Sequence, residues 1–107
     1  MQSRKRMSVM LNTNEVTEKL ENHLELLRTQ YGVERIGLFG SLVRGSQHSE
    51  SDIDLLVEFN RPVGMFKFIE LENQLSALLG AKVDLVTPNA LKPGIGKRIL
   101  DEVRYVN

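Results

Sequence analysis

The chain of 107 residues has no cysteine. That excludes a disulfide framework and any thiolate-held metal. It also has no apolar run near the roughly 20 residues that a membrane-spanning helix needs. Net charge is missing as well: 14 Lys and Arg balance 14 Asp and Glu. A dedicated nucleic-acid binder usually carries a basic surplus, so direct nucleic-acid binding is not expected beyond a local basic patch. No internal repeat and no linker interrupts the chain. The opening MQSRKRMSVM is basic but no long apolar region follows it, so it does not read as a secretion signal. A cytoplasmic protein is the expectation. Arg4, Lys5 and Arg6 read as a solvated tail. Residues 1–12 are therefore expected to be a flexible extension and residues 13–107 one domain, with Met7 and Met10 leaving the start of translation open.

With 41% apolar and 26% charged residues, the remainder has an ordinary globular composition, enough for a single modest core. Thr13 and Asn14 suit a helix N-terminus, and Val16, Leu20, Leu24 and Leu27 recur at helical spacing up to the stop at Gly32. The pattern predicts a helix over about 14–30, with His23 beside the apolar stripe. A short apolar run over 34–39 predicts a first strand, and a short helix opening at Ser41 and ending near Gly45 follows. After a polar loop over 46–51, residues 53–59 alternate as a second strand. Pro62 and Gly64 break the chain. A long helix over 65–79 stops at Gly80. A third strand over 82–86 carries Asp84 at its centre, then a short helix over about 95–102 and a terminal strand over 103–106 complete the chain. The order α-β-α-β-α-β-α predicts a two-layer α/β or α+β domain.

Two short features stand out. Asp52 and Asp54 lie at i and i+2 where the second strand opens, so both project to one face, with Leu56 and Glu58, while Ile53, Leu55, Val57 and Phe59 share the other. Paired carboxylates repel unless a cation lies between them, and short aspartates are hard oxygen ligands suited to Mg2+ or Mn2+. Asp84 interrupts an otherwise apolar strand, where a lone carboxylate is costly without a partner or an ion; beside the second strand it would complete a triad. The second feature is Gly40-Ser41. Glycine lets backbone approach a ligand closely, and a helix starting at Ser41 would offer free N–H groups and a positive dipole end to a phosphate. Arg44, one turn on, would reach the same anion or brace the loop against an acid such as Glu50. If Gly40-Ser41, after the first strand, and Asp52, before the second, share a site, those strands must run antiparallel. A shared site therefore predicts a mixed sheet. A phosphate cradle beside an acid cluster suits nucleotidyl or phosphoryl transfer.

An Asp-x-Asp pair alone more often marks exposed acids at a strand end. Gly-Ser, ten residues, Asp-x-Asp and a third strand acid together are far more specific. This constellation resembles the signature of the polymerase-β-like nucleotidyltransferase superfamily. GLFGSLVRG, SESDIDLLVEF, LLGAKVDLVTPNALKP and RILDEVRYV resemble its minimal nucleotidyltransferase (MNT) branch, over roughly residues 15–106. The resemblance implies a mixed-sheet fold, with Asp52 and Asp54 as metal ligands, Asp84 as third acid and general base, and Gly40 and Ser41 on the triphosphate of ATP. It further implies an antitoxin paired with a HEPN-domain ribonuclease toxin, transferring AMP from ATP to a toxin tyrosine. Two alternatives stand beside it: neutralisation by binding alone, and transfer to a small molecule. The latter is disfavoured because 107 residues leave no room for an acceptor-binding domain.

The remaining candidates read more plainly. His48 and Ser51 are loop residues, Ser51 fixing the approach to the strand. Lys82 shares the Asp84 face or sits at the strand edge. Met65, Phe66 and Phe68 read as helix core, with a partner surface as the alternative. Tyr105 reads as a terminal-strand aromatic, and Lys92, Lys97, Arg98 and Arg104 make the C-terminal segment basic.

Overall fold

In the computed structural model, residues 12–40, 43, 52–90 and 93–106 are described. The chain begins with helix α1 (Thr13–Asn22), whose N-cap is Asn12. The Asn12 Oδ1 accepts from the Glu15 N–H at 2.8 Å while the Glu15 carboxylate accepts from the Asn12 N–H at 3.2 Å, a reciprocal capping box that satisfies two donors at the helix start. The predicted continuous helix is broken: α2 (Leu24–Tyr31) is a separate segment, and His23 between them leaves helical geometry at φ −113°, ψ 7°. The His23 ring Nδ1 contacts the Lys19 carbonyl at 3.0 Å, so the side chain occupies the last turn of α1. The apolar stripe runs through the break undisturbed. Val16, Leu20, Leu24, Leu27 and Tyr31 are all buried. Gly32 and Gly80 close α2 and α3 (Met65–Leu79) in the left-handed conformation, as the sequence predicted for both stops.

Strands β1 (Val33–Phe39), β2 (Ile53–Phe59), β3 (Val83–Val86) and β4 (Arg104–Val106) form one sheet in the order β3-β2-β1-β4. Strand β2 pairs antiparallel with β1 and parallel with β3, and β4 is antiparallel to β1. The mixed sheet demanded by a shared site is present. A 3-10 turn (Pro88–Ala90) and helix α4 (Pro93–Glu102) connect β3 to β4. The short helix predicted from Ser41 lies outside the described residues except for Val43, which is helical and packs against the core.

Alternation along β2 sorts its side chains as read from the sequence. Ile53, Leu55 and Val57 are fully buried in the main core with Leu71, Leu75 and Leu79 of α3, while Asp52, Asp54 and Glu58 on the other face are half-buried. Leu56 on that acid face is also fully buried, so the face is covered in its middle and open at its ends. Strand β3 is an edge, and its outward N–H groups are not left free: Ser76 Oγ accepts from Val83 N–H at 3.1 Å and the Glu72 carboxylate from Leu85 N–H at 3.0 Å. Helix α3 thereby seals an edge that would otherwise invite another strand. At its opposite end α3 is bare. Phe68 packs edge-on against Phe59 with ring centroids 6.3 Å apart, but Met65 is 72% exposed and Phe66 89% exposed. The reading of these three as core holds for Phe68 alone, which packs against the core while Met65 and Phe66, in the first turn, face solvent.

Candidate active site

The acids gather where three strands meet. Phe39, the last residue of β1, pairs with Asp54, and Asp54 pairs in register with Asp84 on the parallel strand β3. Neighbouring strands lie about 4.8 Å apart, and paired residues point to the same face, so the Asp54 and Asp84 carboxylates project side by side. Asp84 is exposed rather than buried. Desolvation therefore does not force a partner on it, because its face of the sheet is open to solvent at this position. Asp52, just ahead of β2, faces the Lys82 ammonium at 4.0 Å, so Lys82 pairs with Asp52 rather than Asp84. Both partners are substantially exposed, which makes the pair weak and easily displaced. Among the described residues no three carboxylate or imidazole groups lie close enough to form a metal cage on their own.

Gly40 follows β1 with φ +81°, a conformation that side-chain-bearing residues rarely adopt. Its bare Cα faces the Asp54 carboxylate, and a Cβ at this position would fall on an Asp54 oxygen. Glycine is thus required twice over, by its backbone and by the carboxylate beside it. The Gly40 N–H donates to the Glu102 carboxylate at 2.9 Å. Glu102, at the end of α4, escaped the sequence reading. Its one signal was its place in the RILDEVRYV segment, and a contact spanning 62 residues has no local signature. Ser41 and Arg44, the other predicted phosphate contacts, and His48 and Ser51 lie outside the described residues.

A different cluster occupies the far end of the same face. Arg35 meets Glu58 at 3.0 Å and lies 4.0 Å over the Tyr105 ring, while the Tyr105 hydroxyl donates to Glu58 at 3.2 Å. Burial, then the bond to Glu58 and its negative charge, raise the Tyr105 phenol above its ordinary value, with Arg35 opposing. This makes Tyr105 a structural part of the strand pairing. A cleft of about 620 Å³ at this end, lined by Val57, Phe59, Arg61, Val63, Thr87 and Asn89 among others, opens beyond the C-terminal end of β2. It lies away from the acids, which stand at the N-terminal end, and Glu58, the one carboxylate lining it, is already engaged by Arg35 and Tyr105.

A glycine turn thus stands against paired strand aspartates in a mixed sheet, and comparison with known proteins shows the family to which the chain belongs. The nucleotidyltransferase-domain family model matches residues 20–106, and the chain belongs to that family, in its minimal branch. It is 50% identical over 97 residues to the protein adenylyltransferase MntA of Thermococcus cleftensis, covering 91% of this chain and 98% of that protein. A solved minimal nucleotidyltransferase fold superposes with a TM-score of 0.75 at 31% identity, over 88% of this chain and 95% of that one. A toxin–antitoxin structure with AMP-PNP gives 0.68 at 28% identity, over 83% of this chain and 70% of that one. The same fold recurs, at 24% identity and a TM-score of 0.60, in a complex of tri-AMPylated Shewanella oneidensis HEPN toxin with its MNT antitoxin, over 83% of this chain and 70% of that one. No described helix is long and apolar enough to cross a membrane.

Proposed function

We propose that this protein is the antitoxin of a HEPN toxin, and that it transfers AMP from ATP to a tyrosine hydroxyl of that partner. The observation that carries the reading is the juxtaposition of Asp54 with Asp84 on one side and with Gly40 on the other. The similarity to a protein adenylyltransferase and to toxin–antitoxin complexes supports the choice of a protein acceptor.

The donor set fits a divalent metal. Asp54 and Asp84 are hard oxygen donors set in register, Asp52 faces a displaceable lysine, and the space a Cβ would fill at Gly40 is kept for the Asp54 carboxylate. With no three-residue cage among the described residues, nucleotide phosphate oxygens would complete the ligand shell, the usual arrangement for Mg2+. When bound, the metal supplies charge to offset that developing on the phosphates. The chain's own residues do the rest. Asp52 and Asp54 would hold the metal-bound nucleotide against the end of β2. Ser41 and Arg44 are assigned to the triphosphate. Asp84, exposed on β3, is assigned to receive the proton of the partner's acceptor hydroxyl. That oxygen attacks the α-phosphorus, an O–P bond forms, the bond to the leaving pyrophosphate breaks, and the proton passes to the Asp84 carboxylate.

The test is the intact mass of the HEPN protein after incubation with this protein, ATP and Mg2+. The expected result is a gain of one or more adenylate groups that the Asp52→Asn/Asp54→Asn variant does not produce. An unchanged mass with a stable complex would overturn transfer and leave neutralisation by binding.

A further inference from the structure

The β1–β4 ladder ends one step short of the site. Its register pairs Ile36 with Val106, Gly37 with Tyr105 and Leu38 with Arg104. Continued in the same register, it sets Phe39 opposite Val103 and Gly40 opposite Glu102. At that point β4 has given way to α4, whose last residue is Glu102, so no backbone carbonyl continues the ladder. The donor left behind by the ladder is the N–H of Gly40, and the Glu102 side chain takes it at 2.9 Å. A carboxylate accepting from a backbone N–H is a charge-assisted bond, stronger than the neutral ladder bond it replaces. Gly40 is consequently held from two sides, its N–H by Glu102 and its bare Cα by the Asp54 carboxylate.

We infer that Glu102 is a positioning residue for Asp54, acting through Gly40: it fixes the turn that forms one wall of the Asp54 carboxylate. Its catalytic consequence rests on the adenylyl-transfer reading above; its structural consequence does not. With the bond to Glu102 gone, nothing in the ladder holds Gly40 at φ +81°, and the wall against Asp54 can withdraw. The bond also engages the backbone donor of Gly40 itself. Gly40 thereby seats Asp54.

The experiment compares the full chain with its Glu102→Ala and Glu102→Gln variants, labelled for NMR. Glutamine keeps an acceptor oxygen of the same reach, so it guards against a variant that fails to fold. In Glu102→Ala the Gly40 amide signal and the Asp54 carboxyl-carbon signal both move, and Glu102→Gln returns both most of the way. With the HEPN partner and ATP, Glu102→Ala lowers kcat by up to about 10²-fold, the loss a 1 Å misplacement can bring, while KM for ATP changes by less than about threefold. Glu102→Gln lies between. Signals unmoved in Glu102→Ala would overturn the inference, and so would a wild-type kcat in that variant. If the wild-type chain transfers no AMP at all, the transfer reading fails. The placement of Asp54 by Glu102 then stands if the two signals move and falls if they do not.

Discussion

Gly40→Ala is the sharpest perturbation of this site, because two separable costs follow from one methyl group. The first is backbone strain. Gly40 sits at φ +81°, and placing an L side chain in the left-handed region costs about 1–2 kcal/mol. The second is collision, since the new Cβ lands on an Asp54 carboxylate oxygen and either the carboxylate or the end of β1 must move. A double-mutant cycle separates them. In an Asp54→Ala background the carboxylate is gone and the closest remaining approach is to the Cβ of residue 54 at 3.1 Å, so Gly40→Ala should cost the backbone penalty and only a small adjustment beyond it. In the wild-type background it should cost more, with a coupling of about 0.5–3 kcal/mol as is usual for residues in contact. Urea unfolding of the four proteins measures this directly. Thermal midpoints should fall by about 4 °C or more for each kcal/mol in a domain of this size. Adenylyl transfer by Gly40→Ala should drop with the displaced carboxylate. A coupling of zero would refute the argument, because Gly40 would then be a glycine for its φ alone and no close approach to Asp54 would exist.

Other expectations follow from the same contacts. Glu72→Ala removes the acceptor for Leu85 N–H on the edge strand and should cost about 1–3 kcal/mol in urea unfolding, the usual penalty for stranding a donor; hydrogen exchange at Leu85 should quicken while exchange in α1 does not. Asn12→Ala breaks the capping box and should cost about 0.5–2 kcal/mol, read by the same unfolding assay. Phe66→Ser should leave unfolding within about 0.5 kcal/mol of wild type, as a side chain 89% exposed contributes little to the core. The phenols of Tyr31 and Tyr105 are both raised above 10.0, first by burial and then by a neighbouring carboxylate, Glu70 and Glu58 respectively. A raised folded pKa contributes stability that is complete below the unfolded value and lost as pH climbs through the folded one. Stability should therefore hold up to about pH 10 and decline above it, with phenolate absorbance appearing at higher pH in native than in urea-unfolded protein.

Much of this was legible in the sequence, for identifiable reasons. Strand β2 and helix α3 match their predicted spans residue for residue, because strict alternation and a Gly stop are local signals. The break at His23 was not legible, since the apolar stripe of α1 continues through it into α2 and periodicity reports the buried face rather than the backbone. The exposure of Met65 and Phe66 was not legible for a related reason: helical spacing shows which residues share a face, and not where along the helix that face meets the rest of the fold. Asp84 was read as costly in an apolar strand. Its side chain is exposed, and whether a layer covers a given face of a strand is a property of the whole fold that no window of sequence contains. Glu102 lay furthest out of reach, because its contact with Gly40 closes 62 residues of chain.

The mixed sheet explains why these distant pieces meet at Asp54. In an antiparallel pair, the residue that ends one strand lies beside the residue that starts the next, so Phe39 and the Gly40 turn fall next to Asp54. In a parallel pair, residues that start both strands lie side by side, so Asp54 falls next to Asp84. A strand with antiparallel neighbours on both sides would meet the end of the third strand at this point rather than its start. A strand with parallel neighbours on both sides would put Gly40 at the far edge. Asp54 gains both neighbours because β2 is the one strand in the described sheet that has an antiparallel partner on one side and a parallel partner on the other. The fold therefore sets an exposed carboxylate and a glycine turn on opposite sides of one aspartate, the relation in which the proposed transfer would use a proton acceptor and a nucleotide.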